Sequence, residues 1–387
     1  MNLFRKIHLW LSVPFGLIIS VICFTGAVLV FEQEVTQWAR PELYKVESAA
    51  GQPLLMDVLL ENVADGLDED VQITGVTVFD DPSRTYQVSL SKPHRASVYV
   101  DQYSGEIKGR NERLPFFTFM FKMHRWLMGR AVAEDGGIGL GRLIVGVSTL
   151  MFVFVLISGA VIWWPRNKQM LTNRLAIKWN KGWRRLWYDL HVAGGIYALV
   201  LLLALSLTGL TWSFSWYKKG FYKVFGAELV ERPKSENGGK GSAAKGGTGK
   251  SHRSAGKKNS AKETSGKGQA REMDFSQWQK VYDQLSVSNQ EASKIMISNG
   301  SAQVYSGSWG NQRASDTYKF KAATGEMTEF SPYAEADRSK KIGGWIYSVH
   351  VGNWGGLFSR VLTFLVSLFG SSLPLTGYYL WFKRLKK

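Results

Sequence analysis

Six histidines stand in a chain of 387 residues, and four of them occupy matched places. His8 lies 17 residues before Thr25-Gly26, and His191 lies 17 before Thr208-Gly209. His124, in Met-His-Arg-Trp-Leu-Met-Gly, and His350, in Val-His-Val-Gly-Asn-Trp-Gly-Gly, each precede a long apolar stretch. Neutral imidazole is the commonest side-chain metal ligand. A single histidine at a membrane edge is more often an interfacial ring reaching into headgroups, but four at matched positions outweigh that reading. The iron of a flat macrocycle such as haem b takes one nitrogen from each side, which facing helices supply. Zinc or copper is the weaker alternative, because no Asp, Glu, Cys or further His stands near enough in sequence to complete a four-ligand shell. The expected pairs are His8 with His191 and His124 with His350, holding two haem b groups. His94 and His252 have no such counterpart.

The elements that must position these rings are unusually apolar. Residues 7–31, 143–165, 190–217 and 361–382 contain no charged side chain. Each run is long enough, at about 1.5 Å per residue, to cross a hydrocarbon core of about 30 Å. Four transmembrane helices are therefore expected. Thirteen Lys and Arg flank them at both termini and in residues 166–189, against Asp189 alone, so these parts are expected to face the cytoplasm. The first span is too long for a signal peptide and has no small-residue cleavage site after it, so it is expected to stay as an anchor.

Residues 32–142 and 218–360 then lie outside. Residues 53–67 read as an amphipathic helix, followed by β-rich runs at 71–79, 84–90 and 97–100. In the other segment 275–285 is the helix, with runs at 294–298, 302–305 and 317–321. The turns Ser104-Gly105-Glu106 and Thr324-Gly325-Glu326 match. So do the ends of spans two and four, where Ser158-Gly159 and Thr376-Gly377 are each followed by a Trp four residues after the Gly and an Arg seven after it. The expected fold is a membrane protein of four transmembrane α-helices in a parallel internal repeat, with two α+β outer domains. Residues 233–271 are rich in Gly, Ser and Lys, carry ten Lys and Arg against two Glu, and read as a flexible basic loop.

That distribution explains the formal charge of +17. Most of it flanks the spans or rides on residues 233–271, so it is no nucleic-acid footprint, and the membrane lipids are the expected neighbours. A lone Cys23 excludes a disulfide scaffold. No dinucleotide fingerprint, Walker loop, H-E-x-x-H or G-x-S-x-G is present, so electrons would have to come from a membrane quinol or another redox protein. Small residues near the ligands (Ser12, Gly16, Gly129, Gly194, Gly195, Gly352, Gly355 and Gly356) either admit a macrocycle or serve close helix packing. Arg5, Arg184, Arg185, Lys122 and Arg125 are candidate partners for haem propionates, although the first three read first as positive-inside anchors.

The layout resembles the PepSY-associated transmembrane proteins, four-span bacterial inner-membrane proteins that include ferric-siderophore reductases. The carriers are Arg5-Lys6-Ile7-His8 with Thr25-Gly26, Tyr99-Val100-Asp101 leading into Ser104-Gly105-Glu106, Met123-His124-Arg125-Trp126-Leu127, His191 with Gly194-Gly195, and His350-Val351-Gly352. The resemblance implies PepSY-like periplasmic domains and haem b bound by His8, His191, His124 and His350 as iron ligands. It implies reduction of iron bound to a siderophore; reduction would itself release Fe(II), since oxygen chelators hold it less tightly than Fe(III), and the step needs no side-chain acid or base. The chain departs from the family pattern at Ala323-Thr324-Gly325-Glu326, which lacks the counterpart of Asp101. The alternative expectation is a non-enzymatic envelope regulator or binding module.

Overall fold

The computed structural model describes residues 2–49, 51–93, 95–133, 136–229 and 275–385. The expected basic loop at 233–271, His94 and His252 all lie outside them. The helices are α1 (Asn2–Val30), α2 (Glu32–Ala39), α3 (Pro41–Tyr44), α4 (Met56–Asp65), α5 (Pro115–Trp126), α6 (Leu140–Trp163), α7 (Lys168–Leu175), α8 (Trp183–Asp189), α9 (Gly195–Ser213), α10 (Ser215–Val224), α11 (Trp278–Ser288), α12 (Arg338–His350) and α13 (Gly356–Leu385). Leu190–Gly194 forms a π-helical turn joining α8 to α9. The strands are β1 (Ile73–Phe79), β2 (Tyr86–Leu90), β3 (Ser97–Val100), β4 (Ile107–Arg110), β5 (Lys294–Ser298), β6 (Ser301–Tyr305), β7 (Asp316–Phe320) and β8 (Met327–Ser331).

Four helical segments are long and apolar enough to cross a membrane: α1, α6, the run Trp183–Ser213, and α13. This is a membrane protein. α1 lies between α6 and α13, and α9 closes the ring against both. Their shared core is apolar, with Ile19, Phe152, Leu156, Ala198, Leu202 and Leu373 buried together. Small residues bring the backbones close, as membrane packing favours. A methyl group at Gly16 would lie 3.1 Å from Pro374, and Tyr378 beside it donates to the Val13 carbonyl at 2.6 Å. The helices run past their charge-free stretches, since α6 includes Arg142 and α13 includes Arg360. The third ends earlier than its apolar run, because Phe214 turns extended before α10 and packs its ring where a Gly146 side chain would stand.

At one end of the bundle the two polar segments form a single eight-stranded antiparallel sheet, in the order β4-β3-β2-β1-β5-β6-β7-β8. The segments meet at β1 and β5, where Val76 pairs with Ile297. Gly75 permits that junction: a side chain there would lie 2.8 Å from the Ile297 carbonyl oxygen. One face is covered by α4 and α11, whose Leu59, Leu60, Val63, Trp278 and Val281 are wholly buried against Val76, Val88, Ile297 and Val304. Burying such side chains contributes about 1.5–3 kcal/mol each before chain entropy is set against it.

Each segment contributes four strands, one more than its sequence pattern predicts. The extra strands, β4 and β8, are short edge strands with mostly half-buried or exposed residues, so they lack the alternation that marks a strand. Both follow the same turn. Gly105 N–H donates to Asp101 O at 2.8 Å and Gly325 N–H to Lys321 O at 2.8 Å. The two glycines have φ of +76° and +68°, a left-handed conformation that other residues adopt only at a cost.

Candidate functional site

The four histidines form two pairs at the two ends of the bundle. His8 on α1 and His191 in the π-helical turn have ring centroids 6.3 Å apart at an interplanar angle of 88°. His124 on α5 and His350 on α12 are 6.1 Å apart at 53°. The second pair lies at the end that carries the sheet.

Each ring is held by a neighbouring span in the same way. His8 Nδ1 donates to Val155 O (3.1 Å) and Ser158 Oγ (3.1 Å). His124 Nδ1 donates to Ile22 O (2.9 Å) and Thr25 Oγ1 (3.3 Å). His350 Nδ1 donates to Leu205 O (3.0 Å) and Thr208 Oγ1 (3.2 Å). His191 Nδ1 donates to Thr376 Oγ1 at 2.9 Å. All four hydroxyls already spend their hydrogen on carbonyls of their own helices, so toward the histidines they can only accept. A carbonyl oxygen likewise only accepts. The ring proton therefore sits on Nδ1 in all four, and Nε2 keeps its lone pair. An imidazole that donates from one nitrogen and ligates through the other is the usual arrangement at metal centres.

The glycine after each hydroxyl makes room for the ring. Side chains at Gly26 and Gly209 would lie 2.9 Å from Cε1 of His124 and His350, and at Gly159 and Gly377 3.3 Å from Cε1 of His8 and His191. The Ser/Thr-Gly pairs, legible in the sequence only as repeated landmarks, are thus histidine seats. The small residues expected beside the ligands are largely engaged in packing. A side chain at Gly194 would meet Phe369 at 2.3 Å, and one at Gly352 would meet Thr363 at 2.6 Å.

Local chain geometry aims the rings. The π turn adds a residue to the helix at His191, a device frequent at functional sites. Asp189 precedes it, buried, and accepts from Arg185 Nε at 2.9 Å and Lys178 N at 3.1 Å. α5 ends in left-handed residues, Leu127 and Met128, with φ of +49° and +64°. The chain then folds back so closely that Gly141 lies against the Trp126 carbonyl. Burial pushes His124 down to about 4 and His350 down to about 3, so both stay neutral near pH 7.

Metal–imidazole bonds of about 2 Å in line through one metal, with about 1 Å more from each nitrogen to its ring centre, separate two rings by about 6 Å. Both pairs have that spacing. Among the described residues no three His, Cys, Asp or Glu side chains converge, so each pair offers two nitrogens, which suits a metal whose remaining ligands come from a macrocycle. Unpaired donors accompany the pairs: among the described residues, Trp126 Nε1 and Arg142 Nε at the sheet end and Trp163 Nε1 at the other are buried without a partner. Burial, and to a lesser extent nearby Arg142, lower the pKa of Arg125, and among the described residues no carboxylate pairs with either arginine. Two partly buried guanidiniums at the sheet end, with Arg142 also donating from Nη2 to Trp212 O at 2.8 Å, fit the two carboxylates of a haem b. Of the cations read from the sequence, Arg125 stands in that place. Arg185 is engaged with Asp189, and Arg5, Arg184 and Lys122 are exposed. Arg142 and Trp126 escape sequence reading because a positive flank and an interfacial Trp look like ordinary membrane anchors.

No curated protein matches the chain. The family model of the PepSY-associated TM region matches residues 5–384. The match spans both histidine pairs, all four spans and every strand of the sheet, and the chain belongs to the PepSY-associated TM region family.

Proposed function

We propose that the chain is a dihaem oxidoreductase of the bacterial inner membrane that passes electrons outward to ferric iron held by a siderophore, releasing Fe(II). The observation that carries this reading is the pair of imidazole pairs, 6.3 and 6.1 Å apart, with every Nδ1 proton tied to a neighbouring helix. In this reading the cationic flanks set both termini in the cytoplasm, the sheet is periplasmic, and the two halves are a parallel internal repeat.

A haem b in each pair would supply one-electron chemistry at both membrane faces. The chain's own residues do the rest. His8 and His191 would hold the cytoplasmic group, placed to take electrons from a quinol or redox protein, and His124 and His350 would hold the periplasmic one. Ser158, Thr376, Thr25 and Thr208 keep the rings in the ligating tautomer. Arg125, Arg142 and Trp126 would receive the carboxylates of the periplasmic group. The apolar core around Phe152, Leu202 and Leu373 keeps water from the path between the sites. Iron leaves the chelate on reduction because oxygen donors hold Fe(II) less tightly than Fe(III).

The test is a stopped-flow experiment on detergent-purified protein expressed with haem supplied. A Soret band is expected. The dithionite-reduced protein should reoxidise on anaerobic mixing with a ferric siderophore, with Fe(II) trapped by ferrozine in step. Protein without a Soret band, or reduced protein that does not reoxidise with either a ferric hydroxamate or a ferric catecholate, overturns the proposal.

A further inference from the structure

The sheet has a second face, opposite α4 and α11. Phe79, Lys294 and Tyr305 lie side by side on it, since Phe79 pairs with Lys294 and Lys294 with Tyr305 across β1, β5 and β6. Three cations gather on this row. The Arg84 guanidinium stacks 3.7 Å from the Phe79 centroid, and the Lys294 ammonium lies 4.5 Å from that of Tyr305. Arg313 stacks 3.4 Å over Tyr347, one turn before His350 on α12. That contact ties the row to the helix carrying a sheet-end histidine. The same loop is pinned to α12 by Gln312 N–H donating to Ser348 Oγ at 3.0 Å.

The cluster is electrostatically unbalanced. Among the described residues none of Arg84, Lys294 and Arg313 has a carboxylate within ion-pair distance, and none donates a side-chain hydrogen bond. Asp81 is an acidic neighbour of Arg84, but its Oδ1 accepts from Ser83 N (2.9 Å) and Ser83 Oγ (2.7 Å). Burial, then Arg84 and Arg313, lower the Lys294 pKa. Like charges held together without counter-charge destabilise a fold, and they persist where an anion completes the set. Alternating cations and aromatic faces suit an anion that carries rings of its own.

We propose that this face binds a polyanionic, aromatic metal chelate of the tris-catecholate type, with Arg84, Lys294 and Arg313 meeting its charge and Phe79, Tyr305 and Tyr347 its rings. The proposal rests on the reductase reading only in taking the bound metal to be the iron that is reduced. Binding itself needs no electron transfer, so a redox-inert probe separates the two.

The experiment titrates the detergent-purified full chain with the gallium(III) complex of a hexadentate tris-catecholate, following tryptophan fluorescence, beside the neutral gallium(III) complex of a tris-hydroxamate. The anionic complex should bind at least tenfold more tightly. The triple variant Arg84→Gln, Lys294→Gln, Arg313→Gln should lose that preference while keeping its sheet signal in circular dichroism. If the triple variant does not fold, Arg313→Gln alone, at an exposed position, should weaken binding about threefold. Equal affinity for both complexes overturns the proposal, as does a folded triple variant or an Arg313→Gln variant that binds like the wild type. Displacement of the probe by an equal concentration of inorganic phosphate, which would mark a general anion site, also overturns it.

Discussion

His8 and His191 rise from the membrane-crossing segments themselves, while His124 and His350 ride on α5 and α12, helices of 12 and 13 residues packed against α1 and α9 at the sheet end. α1 and α9 serve at both ends. The α1 helix carries His8 near its start and seats His124 on Thr25-Gly26. The α9 helix follows His191 and seats His350 on Thr208-Gly209. The α6 and α13 helices seat only, through Ser158-Gly159 and Thr376-Gly377. The pair built on the spans inherits its geometry from bundle packing, whereas the other must be fixed by tighter seats and by the returning chain after each short helix. The seat distances agree: a Cβ meets the imidazole at 2.9 Å at the sheet end and 3.3 Å at the other.

Glycine substitutions probe that difference most strongly. Gly26→Ala and Gly209→Ala should each cost about 1–3 kcal/mol through overpacking and strip the sheet-end pair of its cofactor. Gly159→Ala and Gly377→Ala should cost less than about 1 kcal/mol. Thermal unfolding together with bound-haem absorbance on the four variants checks this, and equal losses at both ends would remove the distinction.

The charged supports differ as well. At the end away from the sheet Arg185 serves Asp189, so Arg185→Gln should destabilise the chain by about 2 kcal/mol, discounted for the partial exposure of Arg185, with the sheet-end site intact. Arg142→Gln removes the hydrogen bond to Trp212 O, so it should cost less, about 1 kcal/mol, and loosen haem at the sheet end alone. Melting curves and haem retention during dialysis separate the two results.

The hydroxyls should rank by their distance to Nδ1. Thr376→Val removes the 2.9 Å partner of His191 and should lower metal affinity about tenfold or more. Thr25→Val, at 3.3 Å with Ile22 O still accepting, should lower it only a few-fold. Competitive haem transfer to an apo-globin measures both.

The smallest expected effect is a pH dependence. Its hydrogen bond to Arg360 holds the Glu34 carboxyl below its ordinary value. A carboxyl lowered in the folded state stabilises fully above the unfolded value near 4.5, and loses that contribution as pH falls through the folded one. The pair is partly exposed, so it is worth less than about 1 kcal/mol. The melting temperature of Arg360→Gln should keep its gap from the wild type between pH 7 and about 5 and approach it as pH drops from about 5 toward about 3, and a constant gap would contradict the pair's role.

The spans and the four candidate histidines were legible because each rests on a local signal: a charge-free run for a span, an interval of 17 residues before a Thr-Gly landmark for His8 and His191, and a place ahead of an apolar run for His124 and His350. The seats were visible as Thr25-Gly26 and its counterparts, but their role was not, since it depends on which helix face meets which ring. Trp126 and Arg142 were hidden by the ordinariness of aromatic and cationic residues at a membrane edge. The joining of two outer segments into one sheet was hidden too: the β1–β5 pairing rests on Gly75 and backbone hydrogen bonds, which leave no periodic trace. Nothing in the sequence singles out Arg84, Lys294 or Arg313, because their grouping depends on which strands pair and on the loop that sets Arg313 over Tyr347.

The central claim is that the two imidazole pairs are two haem sites. A pyridine haemochrome count on the wild type and on His8→Ala, His191→Ala, His124→Ala and His350→Ala tests it most directly. The account predicts two haem b per chain in the wild type and one in every variant, with His8→Ala and His191→Ala spectrally alike and His124→Ala and His350→Ala alike. A wild type without haem, or variants whose losses pair in any other way, would contradict it.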